Sequence, residues 1–283
     1  MHAYNMAGEA RHYQKTKSKS AKSDTRPTNI KDIREHNLFP SVTEYCKVLS
    51  APGLEEYKKQ KIIEACFDQA AFAGPVFTGE DFQSYKKKIE MIAAKEPADA
   101  ADLGTKIHAS IENYLTNKTY WNGDECFDLP DGRGVAAWNF VLPVIAKLND
   151  LNIITESSET VVINPAYGYG GTVDLIGTRL GDITVIVDFK SKKTKEDVEV
   201  ESQETHPMQI AAYMAAFIEN DWSLSGEWNR MIEGYNIYIS TTEVGRVEAI
   251  KYDSAQLLQS WEAFKHCVSL WEWRTGHSAA VPR

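Results

Sequence analysis

Two acidic residues lie within apolar, β-branched stretches of the chain, and this placement constrains the fold more than any other feature. Residues 170–176 read GGTVDLI and residues 185–191 read VIVDFKS, so Asp174 and Asp188 each stand among residues typical of a buried strand. Burying a carboxylate costs free energy unless its charge is paired or bound to a cation. The chain must therefore fold so that something compensates both charges.

The second of these stretches predicts a strand that carries an acid and a base on the same side. Side chains two residues apart on a strand share a face, so Asp188 and Lys190 point one way while Phe189 points the other way and can pack in the core. Asp174 lies on the preceding strand, which is predicted to form a hairpin with this one. It can therefore reach the same edge.

Two carboxylates that converge at one edge form a hard, oxygen-rich site, which suits Mg²⁺ or Mn²⁺. The side chain of Lys190 could then orient an attacking water or help to deprotonate it, and offset negative charge in a transition state. The alternative interpretation is a plain ion pair between Asp188 and Lys190 on a half-exposed strand. The acid-x-lysine triplet alone does not decide between the two.

Two further motifs place pairs of polar residues on predicted helices. His108 and Glu112 stand four residues apart and share one face of a predicted helix over residues 100–117. Gln209 and Tyr213 have the same spacing on a helix predicted to begin at Pro207, after the second acidic strand. Taken singly, a helical histidine more often has an ordinary core or surface role, and a Gln and Tyr at this spacing are unremarkable.

Periodicity predicts a mixed α/β chain in which helices precede and flank a sheet. Helices are expected over residues 54–73, 80–95, 100–117, 132–149, 207–220 and 254–275, and strands over residues 153–163, 171–179, 183–190, 232–240 and 244–252, with a turn at Gly181-Asp182. Ser41 or Thr43 is expected to cap a helix that ends near Pro52-Gly53.

Charge is unevenly distributed along the chain. The formal net charge is −9, yet residues 11–26 hold six basic side chains and one acid. This stretch has few apolar residues, which predicts a disordered basic arm over residues 1–28, in front of a folded domain over residues 29–283. Within that domain, residues 29–100 are expected to be helical and residues 101–283 to form the core.

Other classes of protein fit the sequence poorly. No apolar run is long enough for a membrane span and the polar start lacks the core of a secretory signal, so a cytoplasmic location is expected. The four cysteines are widely separated and include no C-x-x-C pair, which argues against a zinc ribbon. We expect packed, reduced thiols and no iron–sulfur cluster.

In this order, the motifs G-x-x-x-H-x-x-x-E, G-x-V-D, D-F-K and Q-x-x-x-Y resemble the PD-(D/E)XK nuclease superfamily. Within it they resemble the RecB-like exonucleases of phages, of CRISPR-associated systems and of mitochondrial genome maintenance. The likeness covers most of residues 38–220 and departs from the superfamily pattern at Val173, where a proline gives the superfamily its name. It implies a restriction-endonuclease-like core, a mixed α+β sheet preceded by an N-terminal helical region.

The resemblance also implies roles for individual residues. Asp174, Asp188 and Lys190 would be catalytic, and the metal ligands would be His108, Asp174, Asp188 and the carbonyl of Phe189. Supporting or DNA-contacting roles would belong to Glu112, Gln209, Tyr213, Ser191 and Lys192. The implied reaction is metal-dependent DNA hydrolysis in repair or recombination, acting on single strands or duplex ends.

Three points stay open at this level. The chain could be a nuclease-like module that binds DNA or protein without cutting, or a site-specific endonuclease. The Lys-rich faces of the helices before residue 100 could arch over the DNA or could simply be solvated. No nucleotide-binding G-x-x-x-x-G-K-S/T loop occurs, so any unwinding would need a helicase or recombination partner.

Overall fold

A computed structural model describes residues 1–16, 23–49, 52–73, 82–117, 121–179, 183–218 and 232–281. The strands are β1 (Ala3–Tyr4), β2 (Tyr13–Lys15), β3 (Thr25–Pro27), β4 (Phe39–Pro40), β5 (Cys126–Asp128), β6 (Gly134–Ala136), β7 (Ile153–Asn164), β8 (Tyr169–Arg179), β9 (Ile183–Lys192), β10 (Ile232–Ser240) and β11 (Val247–Tyr252). The helices are α1 (Ile30–His36), α2 (Val42–Cys46), α3 (Pro52–Ala73), α4 (Phe82–Thr116), α5 (Trp138–Asp150), α6 (Thr205–Phe217) and α7 (Ser254–Thr275).

The centre of the fold is a five-stranded sheet with the order β11-β10-β9-β8-β7. All neighbouring strands are antiparallel except β9 and β10, which are parallel and are connected through α6. This is the mixed sheet that the sequence predicts. The predicted turn at Gly181-Asp182 lies outside the described residues.

Each face of the sheet buries its own apolar cluster. On one face, α6 and α7 pack over side chains that include Ile186 of β9. On the other, α4 and α5 cover Val185, Val187 and Phe189 of the same strand. Because strand side chains alternate between faces, this arrangement places Asp188 and Lys190 on the α6 face. The prediction that Phe189 packs in the core is confirmed.

The first 16 residues differ from the disordered arm predicted above. β1 pairs with β4, and Ala3 is completely buried. The Tyr4 hydroxyl shares a hydrogen bond of 3.0 Å with Thr172 Oγ1 on β8. The prediction of disorder was based on charge and gave no weight to these few apolar residues. Their burial orders the segment. Residues 17–22, which hold three of the lysines, lie outside the described residues.

Several predicted helix boundaries were wrong. The helix expected to end near Pro52-Gly53 ends at Cys46, and Pro52 begins α3. The helices expected over residues 80–95 and 100–117 are one helix, α4, although Pro97 within it lacks a backbone donor. Contacts of α4 with α3, α5 and the sheet offset that loss. The helix expected from residue 132 begins at Trp138, because Gly132, with φ of +83°, turns the chain into a hairpin of β5 and β6.

The helix start predicted at Ser41 or Thr43 is confirmed for Ser41, which accepts the backbone N–H of Glu44 as the N-cap of α2. Within the described ranges, no helix combines the length and the apolar character that crossing a bilayer requires.

Candidate active site

Strands β8 and β9 pair over only part of their length, and the site lies where they separate. Their pairing stops at Leu175 and Val187, one step before Asp174 and Asp188 would face each other. The backbone N–H of Phe189, released from the ladder, donates to Asp174 Oδ2 at 2.6 Å. The structure thus brings together the two acids that the sequence singles out.

Asp188 is 2% exposed and receives three donors. Gln209 Nε2 donates to its Oδ1 at 2.9 Å, and Asn236 Nδ2 donates to its Oδ2 at 2.7 Å. Lys190 Nζ lies 2.5 Å from the same Oδ2. These contacts fix the carboxylate in one orientation, because a change of rotamer would break all three.

Lys190 stays charged in this environment. Burial by itself would lower the pKa of its ammonium group, but the carboxylates of Asp188 and Asp174 outweigh burial and hold that pKa above its ordinary value. Gln209 Oε1 accepts a further hydrogen bond from Lys190 Nζ at 2.9 Å. The lysine therefore presents a positive charge beside the two acids at neutral pH.

Helix α6 supplies the glutamine that connects the acid to the lysine. The amide of Gln209 donates both to Asp188 and to the Tyr213 hydroxyl, the latter at 2.7 Å, while its oxygen accepts from Lys190. Tyr213 in turn packs against Gly171 of β8, where an added Cβ would lie 2.4 Å from the tyrosine ring. The spacing of four residues on α6 therefore holds a side-chain network beneath the diverging strands.

His108 reaches the site from α4, on the opposite face of the sheet. Its Nδ1 lies 3.7 Å from Asp174 Oδ2, too far for a hydrogen bond, and its ring stands edge-on to Phe189. Burial lowers the pKa of His108 and keeps the imidazole neutral. Gly104, one turn earlier, allows α4 to approach β9, since a Cβ there would lie 2.5 Å from Ser191 Oγ.

Comparison with known proteins agrees with this geometry. The sequence profile of the PD-(D/E)XK nuclease superfamily matches residues 82–282, which is most of the chain and includes every residue of the site. The chain belongs to the PD-(D/E)XK nuclease superfamily.

Individual relatives of this superfamily member are distant. A crystal structure named "Putative exonuclease" from Eubacterium rectale is 10% identical, with a TM-score of 0.39 over 62% of this chain and 68% of that one. The crystal structure of SSO0001 is 16% identical, with a TM-score of 0.27 over 75% of this chain and 84% of that one. Neither likeness is close enough to add to the assignment, and no curated protein matches the sequence.

Members of the PD-(D/E)XK superfamily use divalent metal ions, and the donors in this chain fit one. Burial and the neighbouring Asp188 raise the pKa of Asp174 well above its usual range, and the opposing charge of Lys190 compensates this carboxylate only in part. Asp174 accepts one hydrogen bond among the described residues, which leaves lone pairs for a ligand. The neutral imidazole of His108 has the protonation state that metal binding requires.

Glu159 is an acid near the site that the sequence analysis did not select. It lies on β7 in the position that faces Asp174, where the pairing of β7 with β8 is interrupted, and it adopts a φ of +48°. Desolvation and the charges of Glu112 and Asp188 raise the pKa of Glu159. Polar residues surround this glutamate in the sequence, so nothing in the sequence distinguished it from an exposed residue of a strand.

Asn236 is the second residue that was missed. It is completely buried on β10 beside Asp188, and the Tyr252 hydroxyl donates to its Oδ1 at 2.7 Å. A signal for it did exist, because a neutral amide between Tyr235 and Ile237 is also costly to bury without hydrogen-bond partners, although less so than a carboxylate.

The remaining predicted residues lie at the margin of the site. Glu112 on α4 is near enough to affect the pKa of Glu159. Ser191 contacts α4 at Gly104. Lys192 donates from Nζ to the backbone oxygen of Glu201 at 2.8 Å, and its ammonium lies 5.8 Å from the Tyr238 ring centre.

A separate group of possible metal ligands, Asp32, Glu35 and His36, occurs on α1. Arg26 donates to both carboxylate oxygens of Asp32 at 2.7 Å and holds the pKa of that acid at about 2. Since this carboxylate already has a cationic partner, the group lacks the unmet charge that distinguishes the site between β8 and β9.

Proposed function

We propose that this chain is a divalent-metal-dependent deoxyribonuclease that hydrolyses phosphodiester bonds. One observation carries the proposal: Asp174, Asp188 and Lys190 come together at the point where β8 and β9 separate. A non-catalytic structure has little reason to keep two buried acids beside a lysine, because such groups cost stability. Membership of a nuclease superfamily supports the same reaction class.

The metal ligands in this proposal are Asp174, Asp188, His108 and the carbonyl oxygen of Phe189. Mg²⁺ or Mn²⁺ bound there would activate water and withdraw charge from the phosphate. Asp188 can serve without changing its rotamer, because Gln209 and Asn236 already hold both carboxylate oxygens in place. Preorganisation of this kind avoids a reorganisation cost during the reaction.

Lys190 supplies a fixed positive charge next to the reacting phosphate. Its ammonium is tethered by Asp188 and by the oxygen of Gln209, so its direction is set before DNA arrives. In this role it stabilises negative charge that develops on the phosphate oxygens. Gln209 contacts the acid and the lysine at the same time and keeps the distance between them constant.

We further propose a RecB-like exonuclease that acts on single-stranded or frayed DNA ends. The set of four motifs in order supports this branch. Lysines on α3 and α4 pair with glutamates in the same helices, as in Lys58 with Glu55 and Lys86 with Glu90. Part of the positive charge of these lysines is thus compensated. This favours DNA binding by residues close to the site over DNA binding along the whole surface of the two helices.

The test is digestion of 5′- and 3′-labelled single-stranded and duplex oligonucleotides and of a closed single-stranded circle. Each substrate is incubated with Mg²⁺, with Mn²⁺ or with EDTA. We expect metal-dependent shortening of linear DNA from an end and no cleavage of the circle. Lys190→Met should abolish cleavage, whereas Lys195→Met, at an exposed position on the same segment, should leave it unchanged.

Other outcomes separate the competing functions. Binding of DNA without cleavage under every metal condition would identify a non-cleaving module and refute the proposal. Cuts at fixed internal positions of a long duplex would indicate a site-specific endonuclease. Full activity of Lys190→Met would remove the lysine from the mechanism. Glu159→Gln should lower cleavage if this acid takes part in the site.

A further inference from the structure

His206 stands at the edge of the site, and neither the motifs nor the mechanism above use it. It lies in the first turn of α6, three residues before Gln209, so the two side chains share a helix face. Its side chain is half-buried against Tyr238 of β10. Tyr238 is in register with Lys190 of β9, and β9 lies between β10 and β8, so His206 contacts a strand on the opposite side of β9 from the strand of Asp174.

The contacts of His206 determine which ring nitrogen carries the proton. Nδ1 lies 2.7 Å from the Tyr238 hydroxyl and 3.4 Å from the backbone N–H of Gln203. A backbone N–H can only donate, so its contact favours Nδ1 as the acceptor; the Tyr238 hydroxyl is then the donor in the shorter contact, and the two donors share the single lone pair of Nδ1. Burial and the charge of Lys190 lower the pKa of His206 to about 4, so the ring is neutral near pH 7. The single ring proton therefore resides on Nε2.

The Nε2–H group makes no hydrogen bond to the described residues and is not among their buried unpaired atoms, so it is open to solvent or a ligand. Among the described residues, both hydrogen bonds of His206 go to Nδ1. The charged groups that act on the ring are Lys190, Asp188 and Lys192, two cations and one anion that is already paired. A neutral N–H beside two ammonium groups is suited to an anionic oxygen acceptor.

We propose that His206 donates a hydrogen bond from Nε2 to a non-bridging oxygen of the DNA phosphate next to the scissile one, with Tyr238 as the positioning residue that fixes its tautomer. This inference rests on the proposed function, which places the scissile phosphate at Asp174, Asp188 and Lys190. The neighbouring phosphate is assigned to His206 because this histidine contacts β10, while β9 with Lys190 separates β10 from β8 with Asp174. The contact would hold the DNA strand in register with the reacting bond.

The test compares His206→Ala, His206→Gln and Tyr238→Phe on one oligonucleotide series. Glutamine places an amide N–H close to the position of Nε2, so it serves as the conservative control. We expect His206→Ala to raise KM about tenfold, the size of one charge-assisted hydrogen bond, with little change in kcat. His206→Gln should restore most of the loss, and Tyr238→Phe should raise KM by a few-fold.

A neutral methylphosphonate, placed singly on either side of the scissile phosphate, separates a direct contact from a structural effect. At the contacted position, wild type and His206→Ala should have equal KM, because the charge that His206 recognises is gone. An equal loss in His206→Ala at every methylphosphonate position, or an unchanged KM on ordinary DNA, would overturn the proposal.

Binding measurements keep this test independent of cleavage. Fluorescence anisotropy of the same oligonucleotides in EDTA reports the contact even if the protein cuts no DNA. A selective loss of affinity in His206→Ala that disappears with the methylphosphonate would support the contact, whatever the outcome for catalysis. Equal affinities of wild type and His206→Ala for ordinary DNA would refute it.

Discussion

Replacing each acid of the site by asparagine should change stability in opposite directions, although both replacements stop catalysis. Asp174 accepts one hydrogen bond, from the Phe189 N–H, and burial beside Asp188 raises its pKa well above its usual range. The folded protein thus holds this carboxylate at a cost in free energy. In Asp174→Asn the side-chain oxygen can still accept from Phe189, and the cost is removed.

Asp188 differs because donors surround its carboxylate. Gln209, Asn236 and Lys190 approach its two oxygens. In Asp188→Asn the new NH₂ group must face one of these donors in either amide orientation, and the ion pair with Lys190 is lost. We expect a loss of about 2–4 kcal/mol from the broken buried pair and the unsatisfied donors, against a gain of about 1–2 kcal/mol for Asp174→Asn.

Thermal unfolding in EDTA measures both effects in the metal-free protein. At about 2–4 °C per kcal/mol, Asp174→Asn should raise Tm by roughly 2–8 °C and Asp188→Asn should lower it by roughly 4–16 °C. Each variant should lose at least about 10³-fold in cleavage with metal present, the scale of one lost transition-state interaction. Tm shifts of the same sign would refute the account of how the two charges are compensated.

The pH dependence of the Asp174 effect follows from the direction of its pKa shift. A raised pKa means that the folded state binds a proton more readily than the unfolded state does. The penalty in the wild type therefore exists above the unfolded pKa of about 3.9 and disappears below it. The stability advantage of Asp174→Asn should shrink as the pH falls toward 4, and a constant advantage from pH 4 to 7 would contradict the reasoning.

Three further changes test other parts of the structure. Gly171→Ala places a Cβ 2.4 Å from the Tyr213 ring and should lower the unfolding free energy by about 1–3 kcal/mol and reduce cleavage, as measured by denaturant titration and oligonucleotide digestion. Glu96→Gln breaks two ion pairs of α4, one with Lys193 and one with Lys61 of α3, and the resulting stability loss, about 1 kcal/mol in low salt, should vanish in 1 M NaCl. Burial lowers the pKa of His206 to about 4 in the folded protein, so its protonation opposes folding at low pH. The stability of the wild type should therefore fall relative to that of His206→Gln as the pH drops from 6.5 to 4, and melting curves should show no such trend above pH 6.5.

Local sequence patterns were enough to predict a side chain's neighbours in the site where those neighbours are close in sequence. The face shared by Asp188 and Lys190 follows from strand alternation, and the face shared by Gln209 and Tyr213 follows from the helical repeat. Sequence also indicated the five strands of the central sheet. It failed at Pro97, where tertiary contacts carry one helix through a residue that usually ends helices.

What the sequence determined by itself is that two acids stand in apolar strands and need compensation, because burial cost depends on residue type and local pattern. Only the tertiary structure decided which groups compensate the charges of these two acids. The separation of β8 from β9, the approach of His108 from the opposite face and the donors from Asn236 each join residues far apart in the chain. Those contacts depend on how the helices pack on the two sides of one sheet, which a one-dimensional periodicity does not encode.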